Sequence, residues 1–290
     1  MSPEPQAPSR TVLELLTLAA DYLGKKGVDH ARRDADALLG QVLQCDRLHL
    51  YLRFEEVPTK AEVDLFRGLM LRRGEREPLQ YLLGKVRFLG LTLACDKRAL
   101  IPRPETEDLA RLLRLLLGAG EGKRAADVGT GSGCLALSLA AHGAQVLATD
   151  LSPEALALAA ENALACGLAD RVSFAQGDAL APLLDQAPFD LLVSNPPYIA
   201  EGDRAGLAPE VADHEPALAL FSGAQGLDLL QRLLAEAPRV LKPGGWLALE
   251  CGLGQPAQLA AEARVTGDWS EMRTPKDSFD AERFLICQRA

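Results

Sequence analysis

The sequence has little of what metal sites and disulfide frameworks require. Aromatic residues make up 5% of the chain, and there are only four histidines and six cysteines. The cysteines are widely separated, with no C-x-x-C pair and no histidines at zinc-ligand spacing. We therefore expect no bound metal, and we expect free thiols buried in a protein of the reducing cytosol.

The sequence also lacks a long apolar run and an excess of positive charge. No segment offers the ~18 uninterrupted apolar residues of a membrane span, and the N-terminus has no charged region followed by an apolar core. The net charge of −9 disfavours broad nucleic-acid binding, because phosphate neutralisation needs clustered Lys and Arg. A local basic patch would still be compatible with this average. We predict a cytoplasmic protein without a membrane segment.

The first quarter of the chain has the pattern of a helical bundle. The 290 residues are 48% hydrophobic and suit one large domain or two ordinary ones. Residues 1–9 are proline-rich and are expected to be a disordered tail. From 10 to 77 apolar residues recur at helical spacing, and we expect a bundle with a first helix capped by Ser9 and ended by Gly24 and Gly27. The bundle is either a partner-recognition domain or a structural cap.

Residues 78–98 predict a β-hairpin linker, because Val86 to Leu93 alternates and Leu89-Gly90 can form its turn. The remaining segment is 99–290. Near its beginning, Pro104 can open a helix whose first turn carries Glu105 and Glu107. These carboxylates either cap the helix or belong to a proline-framed segment that holds Arg103 beside a pocket.

A strand, a glycine turn and a helix follow one another at Ala125–Val128, Gly129–Gly133 and Cys134–Ala141. This order is typical of a nucleotide-type binding unit, although the spacing G-x-G-x-G departs from the dinucleotide fingerprint. Asp127, Asp150 and Asp178 come at or near the ends of consecutive strands. They either cap helices or line one crevice, and Asp150 stands close to the ~20-residue offset of a carboxylate that binds a ribose.

The segment DLLVSNPPYI at 190–199 predicts a buried strand that ends at Ser194, since neither proline can donate to a sheet. The turn that follows holds the Asn195 side-chain oxygen and the Pro196 carbonyl, which can each accept a hydrogen from one NH₂ group. Tyr198 can stack on a planar conjugated frame. The sequence therefore predicts a site for a planar amide or for the amino group of a base.

The rest of the chain completes a doubly wound sheet. Residues 200–220 read as a long loop beside the site and a candidate lid, in which His214 and Glu215 are either an acid–base pair or solvated surface groups. The elements expected after this loop are a helix at Gly226–Val240, a turn at Lys242–Gly245, a strand at Trp246–Glu250, a helix at Gln255–Arg264 and a strand at Arg283–Gln288.

The cofactor that suits these features is S-adenosylmethionine. A glycine loop and a ribose carboxylate without a phosphate-binding lysine fit an adenosine that has no polyphosphate. No strong base is visible, so catalysis would come from aligning the acceptor nitrogen with the methyl carbon, which can contribute ~7–11 kcal/mol.

These motifs closely resemble those of the HemK/PrmC family of S-adenosylmethionine-dependent methyltransferases. The resemblance is carried by YLLG at 81–84, FLG at 88–90, IPRPETE at 101–107, DVGTGSGC at 127–134, GD at 177–178, NPPY at 195–198, EP at 215–216 and LECGLGQ at 249–255. It implies an α/β fold with a Rossmann-like sheet and a small N-terminal helical bundle joined by a β-hairpin. It implies methylation of the glutamine side-chain nitrogen in the Gly-Gly-Gln loop of peptide-chain release factors by a monomer whose helical domain helps hold that partner. The stretch 276–283 is a loose match that lies away from the catalytic motifs, so we expect packing differences there more than altered chemistry.

The resemblance also implies roles for single residues. The expected cofactor-binding residues are Asp127, Gly129, Thr130, Gly131, Gly133, Asp150, Leu151, Asp178, Ala179 and Asn195. The expected catalytic residues are Asn195, Pro196 and Tyr198, and the expected substrate-binding residues are these three with Pro197, Arg103 and Glu105. The alternatives are the same chemistry on a ribosomal-protein glutamine or a nucleic-acid adenine, a non-catalytic binding protein, and, more remotely, an NAD dehydrogenase.

Overall fold

The computed structural model describes residues 10–290, so the expected disordered tail at 1–9 and the Ser9 cap lie outside the described residues. The chain divides after Gly84 into two compact units. The first unit is helical, as predicted, and consists of α1 Val12–Lys25, α2 Ala31–Val42, α3 Arg47–Leu52, α4 Lys60–Gly74 and α5 Leu79–Leu83.

The start of α1 is fixed by a capping box. The Thr11 hydroxyl accepts from the Glu14 backbone N–H at 3.3 Å, and the Glu14 carboxylate accepts from the Thr11 backbone N–H at 2.9 Å. Gly24 lies inside the helix, so the expectation that it ends α1 is wrong. Gly27, with φ of +76°, follows the helix and reverses the chain.

The helical unit packs around leucine side chains and one buried ion pair. The Arg73 Nε donates to the Asp34 carboxylate at 2.8 Å, and both side chains are 8% exposed. Because an unpaired buried charge is costly, this pair ties α4 to α2.

The second unit begins with the predicted hairpin. Its strands are β1 Lys85–Phe88 and β2 Leu91–Ala94, and they pair antiparallel. Leu89 and Gly90 form the turn with φ of +45° and +89°, which agrees with the predicted position. The residues just before the hairpin form α5, so the extended pattern is shorter than the predicted linker.

The remaining elements form one sheet with helices on both faces. Its strands are β3 Arg124–Val128, β4 Gln145–Asp150, β5 Val172–Gln176, β6 Phe189–Ser194, β7 Leu241–Glu250, β8 Trp269–Arg273 and β9 Phe284–Arg289. The helices are α6 Pro104–Leu117, α7 Cys134–Ala141, α8 Pro153–Ala165, α9 Pro209–His214, α10 Asp228–Glu236 and α11 Gln255–Thr266. One cluster of buried side chains packs α10 and α11 on the sheet, and another packs α6, α7 and α8.

The strand order β5-β4-β3-β6-β7-β9-β8 confirms the predicted Rossmann-like sheet. The first five strands of that order are parallel, and β9 runs antiparallel to both β7 and β8. The chain moves outward from β3 in one direction and then, from β6, in the other. Ligands bind beyond the carboxyl ends of the strands at such a reversal, so β3 and β6 mark the expected position.

Three predictions for this unit need correction. The stretch Lys242–Gly245 lies within β7, where the pairing with β6 is interrupted, instead of preceding the strand. The edge strand β8 was not predicted, because its sequence WSEMR buries only Trp269 and lacks a regular apolar alternation. The segment from 200 to 220 is not a plain loop, since it contains α9 and two short 3₁₀ helices, at Glu201–Gly206 and Ala217–Ala219.

The cysteines meet the expectation of free thiols but only partly meet the expectation of burial. All six cysteines of residues 10–290 are free, but only Cys95, Cys251 and Cys287 are buried, and the others are half-buried. Burial raises the pKa of the Cys95 thiol to about 12. No helix of the described part of the chain combines the length and apolarity needed to cross a membrane.

Candidate active site

A cavity opens beyond the carboxyl ends of β3, β4 and β6, at the reversal of strand order. It encloses about 1150 Å³, a volume that includes space open to solvent. Its lining includes eleven of the sequence-predicted site residues: Arg103, Asp127, Gly129, Thr130, Gly131, Asp150, Leu151, Asp178, Ala179, Asn195 and Pro197. Four further predicted residues, Glu105, Gly133, Pro196 and Tyr198, do not line it.

The glycine loop between β3 and α7 is held by backbone hydrogen bonds. The N–H groups of Gly129 and Thr130 donate to the Thr149 carbonyl at 2.8 and 2.9 Å. Gly131, with φ of +56°, lines the cavity. A Cβ on Gly133 would lie 3.2 Å from the Ala159 Cβ, so the third glycine permits close packing of α7 on α8 instead of an approach to a ligand.

Asp127 is buried at the end of β3, and only one of its carboxylate oxygens is satisfied. Oδ2 accepts from the Thr130 hydroxyl at 2.7 Å and from the Ala136 N–H at 3.0 Å, which caps the start of α7. Oδ1 is buried and has no hydrogen-bond partner among residues 10–290. Burial raises the pKa of Asp127 to about 7, against the opposing effect of these two hydrogen bonds.

Asp150 and Asp178 stand in different surroundings. The Asp150 carboxylate accepts from the Gly131 N–H and the Ser152 N–H, each at 2.9 Å, so it joins the glycine loop to the start of α8. The Asp178 side chain is 59% exposed and pairs with Arg232 at 2.6 Å. The three strand-end aspartates therefore all line one cavity, and Asp178 is the mostly exposed member of the three.

The Asn195-Pro-Pro-Tyr198 turn follows β6, as its prolines predict. Asn195 lines the cavity, and its buried Oδ1 has no hydrogen-bond partner in the described chain. Tyr198 instead packs against the core cluster on the β7 side, and its carbonyl accepts from the Gln255 Nε2 at 2.9 Å. Burial raises the pKa of Tyr198 to about 12, so its phenol is neutral at physiological pH.

Two side chains that the sequence analysis did not select hold the Asn195 amide. The Asn195 Nδ2 donates to the Thr106 Oγ1 at 3.1 Å, and the Thr106 hydroxyl donates to the Glu250 Oε2 at 2.8 Å. Thr106 and Glu250 are each 1% exposed. Both belong to motifs already quoted for the family resemblance, and a glutamate at the end of a buried strand was the available signal.

Several charged side chains act on the pKa of Glu250. Burial raises its pKa to about 7; the charge of Glu105 raises it further, whereas Arg283 and Arg103 lower it. Arg283 belongs to the stretch 276–283, for which packing differences more than altered chemistry were expected. Its charge also lowers the pKa of Glu250 and of Tyr198, in opposition to burial.

Glu215 closes the site from the side of α9. Its Oε1 accepts from the Arg103 Nη2 at 2.5 Å, and its Oε2 accepts from the Ile101 N–H at 3.1 Å. Because the Glu215 side chain is 1% exposed and engaged by both groups, it is a buried carboxylate and not the solvated surface group that was one of the two expectations. Pro216 and Leu218, which follow Glu215, line the cavity.

The arrangement suits a cationic, adenosine-bearing cofactor and an NH₂ acceptor. Two residues of the cavity wall, Asp127 and Asn195, each keep one buried oxygen without a partner, and an oxygen in that condition gains from a bound hydrogen-bond donor. The anionic wall of Asp127 and Asp150 would favour positive charge on a ligand. The residues present therefore fit S-adenosylmethionine.

Two family models match the chain. The PrmC N-terminal domain matches residues 14–84, and a methyltransferase domain matches residues 125–215. Among curated relatives, the release factor glutamine methyltransferase of Deinococcus radiodurans is 46% identical over 280 residues, which cover 96% of this chain and 98% of the relative. That of Geobacter sulfurreducens is 42% identical over 89% of both chains.

Solved structures share the fold at lower identity. The hMettl16 catalytic domain, in complex with the MAT2A 3′UTR hairpin 6, has a TM-score of 0.58 at 19% identity and covers 77% of this chain and 81% of its own. The Thermus thermophilus 16S rRNA methyltransferase RsmC, in complex with AdoMet and guanosine, has a TM-score of 0.52 at 22% identity and covers 71% of this chain and 50% of its own. At these identities the likeness concerns the fold alone.

Proposed function

This chain belongs to the release factor glutamine methyltransferases, and on that premise we propose how its cavity transfers a methyl group from S-adenosylmethionine to the glutamine amide of a Gly-Gly-Gln loop. The enzyme is an S-adenosylmethionine-dependent glutamine methyltransferase. The observation that carries the proposal for the site is the buried Asn195 Oδ1, which lies at the cavity without a partner in residues 10–290.

In this proposal the residues at the carboxyl ends of β3 to β5 would hold the cofactor. Gly129, Thr130 and Gly131 would let the backbone approach its methionine part, while Asp127 would offer its free oxygen to the cofactor's ammonium group. Asp150 would accept from the ribose hydroxyls. Leu151, Asp178 and Ala179, which line the same cavity, would hold the adenine. The bound cofactor supplies an electrophilic methyl group on a positively charged sulfur.

The acceptor amide is held by the NPPY turn. The Asn195 Oδ1 would accept one hydrogen of the glutamine NH₂ at the cavity wall, and the carbonyl of Pro196, which does not itself line the cavity, would accept the other, so that the nitrogen turns toward the methyl carbon. As the nitrogen–carbon bond forms and the carbon–sulfur bond breaks, these two oxygens would stabilise the positive charge that grows on nitrogen, and one N–H proton would then leave to solvent. Pro197 and Tyr198 support the turn, and the Tyr198 phenol stays protonated because burial raises its pKa to about 12.

Arg103 and Glu105 are assigned to the substrate side in this proposal. Arg103 pairs with Glu215 and thereby fixes the segment that carries Pro216 at the cavity. Glu105 lies half-buried in the first turn of α6. We propose that these two groups shape the entrance for the Gly-Gly-Gln loop and take no part in proton transfer.

The partners and setting follow from the family. We propose that the helical domain, residues 10–77, helps hold the release factor, that 78–98 is a linker, and that 99–290 carries the methyl transfer. We also propose that the enzyme acts in the cytoplasm as a monomer. The net charge of −9 makes nucleic acid a poor direct substrate.

The test is mass spectrometry of unmethylated release factor after incubation with the enzyme and S-adenosylmethionine. The expected result is a methyl-sized mass gain confined to the Gly-Gly-Gln peptide, with no gain for a factor whose loop glutamine is replaced by alanine. A gain on another glutamine, on ribosomal protein or on adenine in a matched reaction would overturn the substrate assignment. No gain anywhere, with cofactor binding shown by calorimetry, would overturn the catalytic assignment.

A further inference from the structure

The Asn195 amide can present either its oxygen or its nitrogen to the cavity, and only the oxygen can accept from a substrate NH₂. Its orientation depends on the group that holds its other end. In this molecule that group is the Thr106 hydroxyl, 3.1 Å from Nδ2, and the hydroxyl in turn stands 2.8 Å from a Glu250 oxygen. The three side chains come from different parts of the fold: Asn195 directly follows β6, Thr106 lies in α6 and Glu250 is the last residue of β7.

The direction of these hydrogen bonds is fixed by Glu250 when it is ionised. A carboxylate only accepts, so the single hydrogen of the Thr106 hydroxyl must go to Glu250. The Thr106 oxygen is then left with lone pairs toward Asn195, and it can hold only the NH₂ end of that amide. The Asn195 Oδ1 therefore has to face away from Thr106, and it lacks any partner within the described residues.

We propose that Thr106 and Glu250 are positioning residues for methyl transfer, which fix the Asn195 amide with Oδ1 toward the acceptor nitrogen. The proposal rests on the function given above and deepens it, because it explains why a buried glutamate stands next to a neutral acceptor site. Protonated Glu250 would free the Thr106 hydrogen to donate to Asn195 and would permit the reversed amide, which presents NH₂ to the substrate.

The surroundings of Glu250 support such a role. The charged or titratable groups that face it are Arg103 and Glu105 at the start of α6, Tyr198 after β6, Arg283 before β9, Cys134 at the start of α7 and Cys251 directly after β7. Burial holds the pKa of Glu250 near 7, so its ionisation changes within the range in which an enzyme can be assayed. A purely structural carboxylate would be replaceable by an amide without a change in pH profile.

The experiment compares Thr106→Ser, which keeps the hydroxyl, with Thr106→Val, which keeps the shape. With saturating cofactor and release factor, we expect kcat of the serine variant within about twofold of the parent and kcat of the valine variant lower by about tenfold, with cofactor Kd unchanged in both. Equal kcat for the valine variant and the parent would overturn the proposal.

The Glu250→Gln variant tests the direction of the hydrogen bonds. The parent kcat should rise as pH increases through about 7, and this rise should be absent in Glu250→Gln, since glutamine can both donate and accept. Saturating cofactor suppresses any contribution of Asp127 to binding. The same rise in both proteins would overturn the role of Glu250.

A double-mutant cycle covers the case in which Thr106→Val is poorly folded because it leaves the glutamate unpaired. In Thr106→Val/Glu250→Gln that charge is absent, and the loss in kcat should be no larger than in the worse single variant, since both act through Asn195. Additive losses would mean two separate structural effects and would overturn the proposal.

A readout without catalysis separates this proposal from the proposed function. In the ¹⁵N-labelled protein, the Asn195 side-chain NH₂ hydrogens should exchange slowly in the parent and in Thr106→Ser and faster in Thr106→Val. If the enzyme failed to methylate release factor but showed this exchange pattern, the result would contradict the proposed function and support the positioning role of Thr106. Equal exchange rates in all three proteins would overturn the positioning role even if methylation succeeded.

Discussion

The two ends of the cavity hold their polar groups by different means. At the cofactor end, the Asp150 carboxylate accepts from the backbone N–H groups of Gly131 and Ser152, which lie 19 and 2 residues away. At the acceptor end, the Asn195 amide is held by the side chain of Thr106, 89 residues away in the sequence. The Thr106 hydroxyl is in turn oriented by Glu250, which is 144 residues from Thr106. A backbone donor survives most substitutions, whereas a side-chain relay is broken by the loss of one hydroxyl.

Because of this difference, we expect the two ends of the cavity to affect different quantities, the affinity for the cofactor and the rate of methyl transfer. Loops held by their own backbone form wherever the local fold forms, so the cofactor end is preorganised by the strand–turn–helix unit itself. The acceptor end needs three distant elements to pack correctly before one amide points the right way. We therefore expect changes at the first end to act on cofactor binding and changes at the second end to act on the chemical step.

The largest effect is expected from Asn195→Ala, which would break the acceptor end and leave the cofactor end intact. The turnover rate should fall by about 10²–10³-fold, because one of the two oxygens that orient and stabilise the acceptor nitrogen is lost. Calorimetry should show a cofactor Kd within about threefold of the parent. A rate within tenfold of the parent would mean that Asn195 does not hold the amide.

The second effect concerns stability. Glu250 has a pKa of about 7 in the folded protein against an ordinary value of 4.5, so the folded state binds the proton more tightly. Its contribution therefore makes the free energy of unfolding fall as pH rises from about 4.5 to 7. Relative to the parent, Glu250→Gln should be more stable at pH 8 than at pH 5 by about 2–3 kcal/mol.

Urea unfolding at the two pH values measures this difference. Asp127, whose pKa is also raised to about 7 by burial, is present in both proteins and cancels from the comparison. An equal difference between variant and parent at pH 5 and pH 8 would show that Glu250 does not titrate in this window. If Glu250→Gln raised the free energy of unfolding at pH 8 and lowered kcat, Glu250 would be a group that costs stability and serves the methyl transfer.

The same contrast explains what could be foreseen from the sequence. The sheet, the glycine loop and Asp150 follow from patterns contained within about thirty residues, where strand period, turn glycines and caps act locally. Thr106 and Glu250 could not be selected, because their meeting depends on the packing of α6 against β7. The burial of Glu215 was missed for the same reason, since its partner Arg103 is 112 residues away.

Individual residues within a recognised motif could also be misjudged. Gly133 belongs to the glycine run, yet its missing side chain makes room for Ala159, at 3.2 Å from a would-be Cβ. Tyr198 belongs to the NPPY turn, yet its side chain packs against the core cluster and does not line the cavity. A motif therefore locates a site well and assigns the role of each member less well.

The third effect is expected at the cofactor end. Asp150→Asn removes the charge and one of the two acceptors that hold Gly131 and Ser152, besides weakening the proposed bonds to the ribose. Cofactor Kd should rise by about tenfold, and kcat at saturating cofactor should stay within about twofold. A reduced kcat with an unchanged cofactor Kd would show that the cofactor end affects the chemical step, which would contradict the proposed difference between the cofactor end and the acceptor end.

The smallest effect is expected from Asp178→Ala, and it sharpens the comparison within the cofactor end. Asp178 is 59% exposed and pairs with Arg232, which is 40% exposed, so the pair is screened by water and contributes at most about 1 kcal/mol. Its neighbour Ala179 is buried and adopts φ of +45°, which holds the chain at the cavity without help from the carboxylate. We expect cofactor Kd to change by less than about threefold in calorimetry, with Arg232→Ala as the matched control for loss of the ion pair. A tenfold loss in Asp178→Ala and none in Arg232→Ala would mean that the carboxylate itself contacts the adenine, and Asp178 would then belong with Asp150 among the groups that determine affinity.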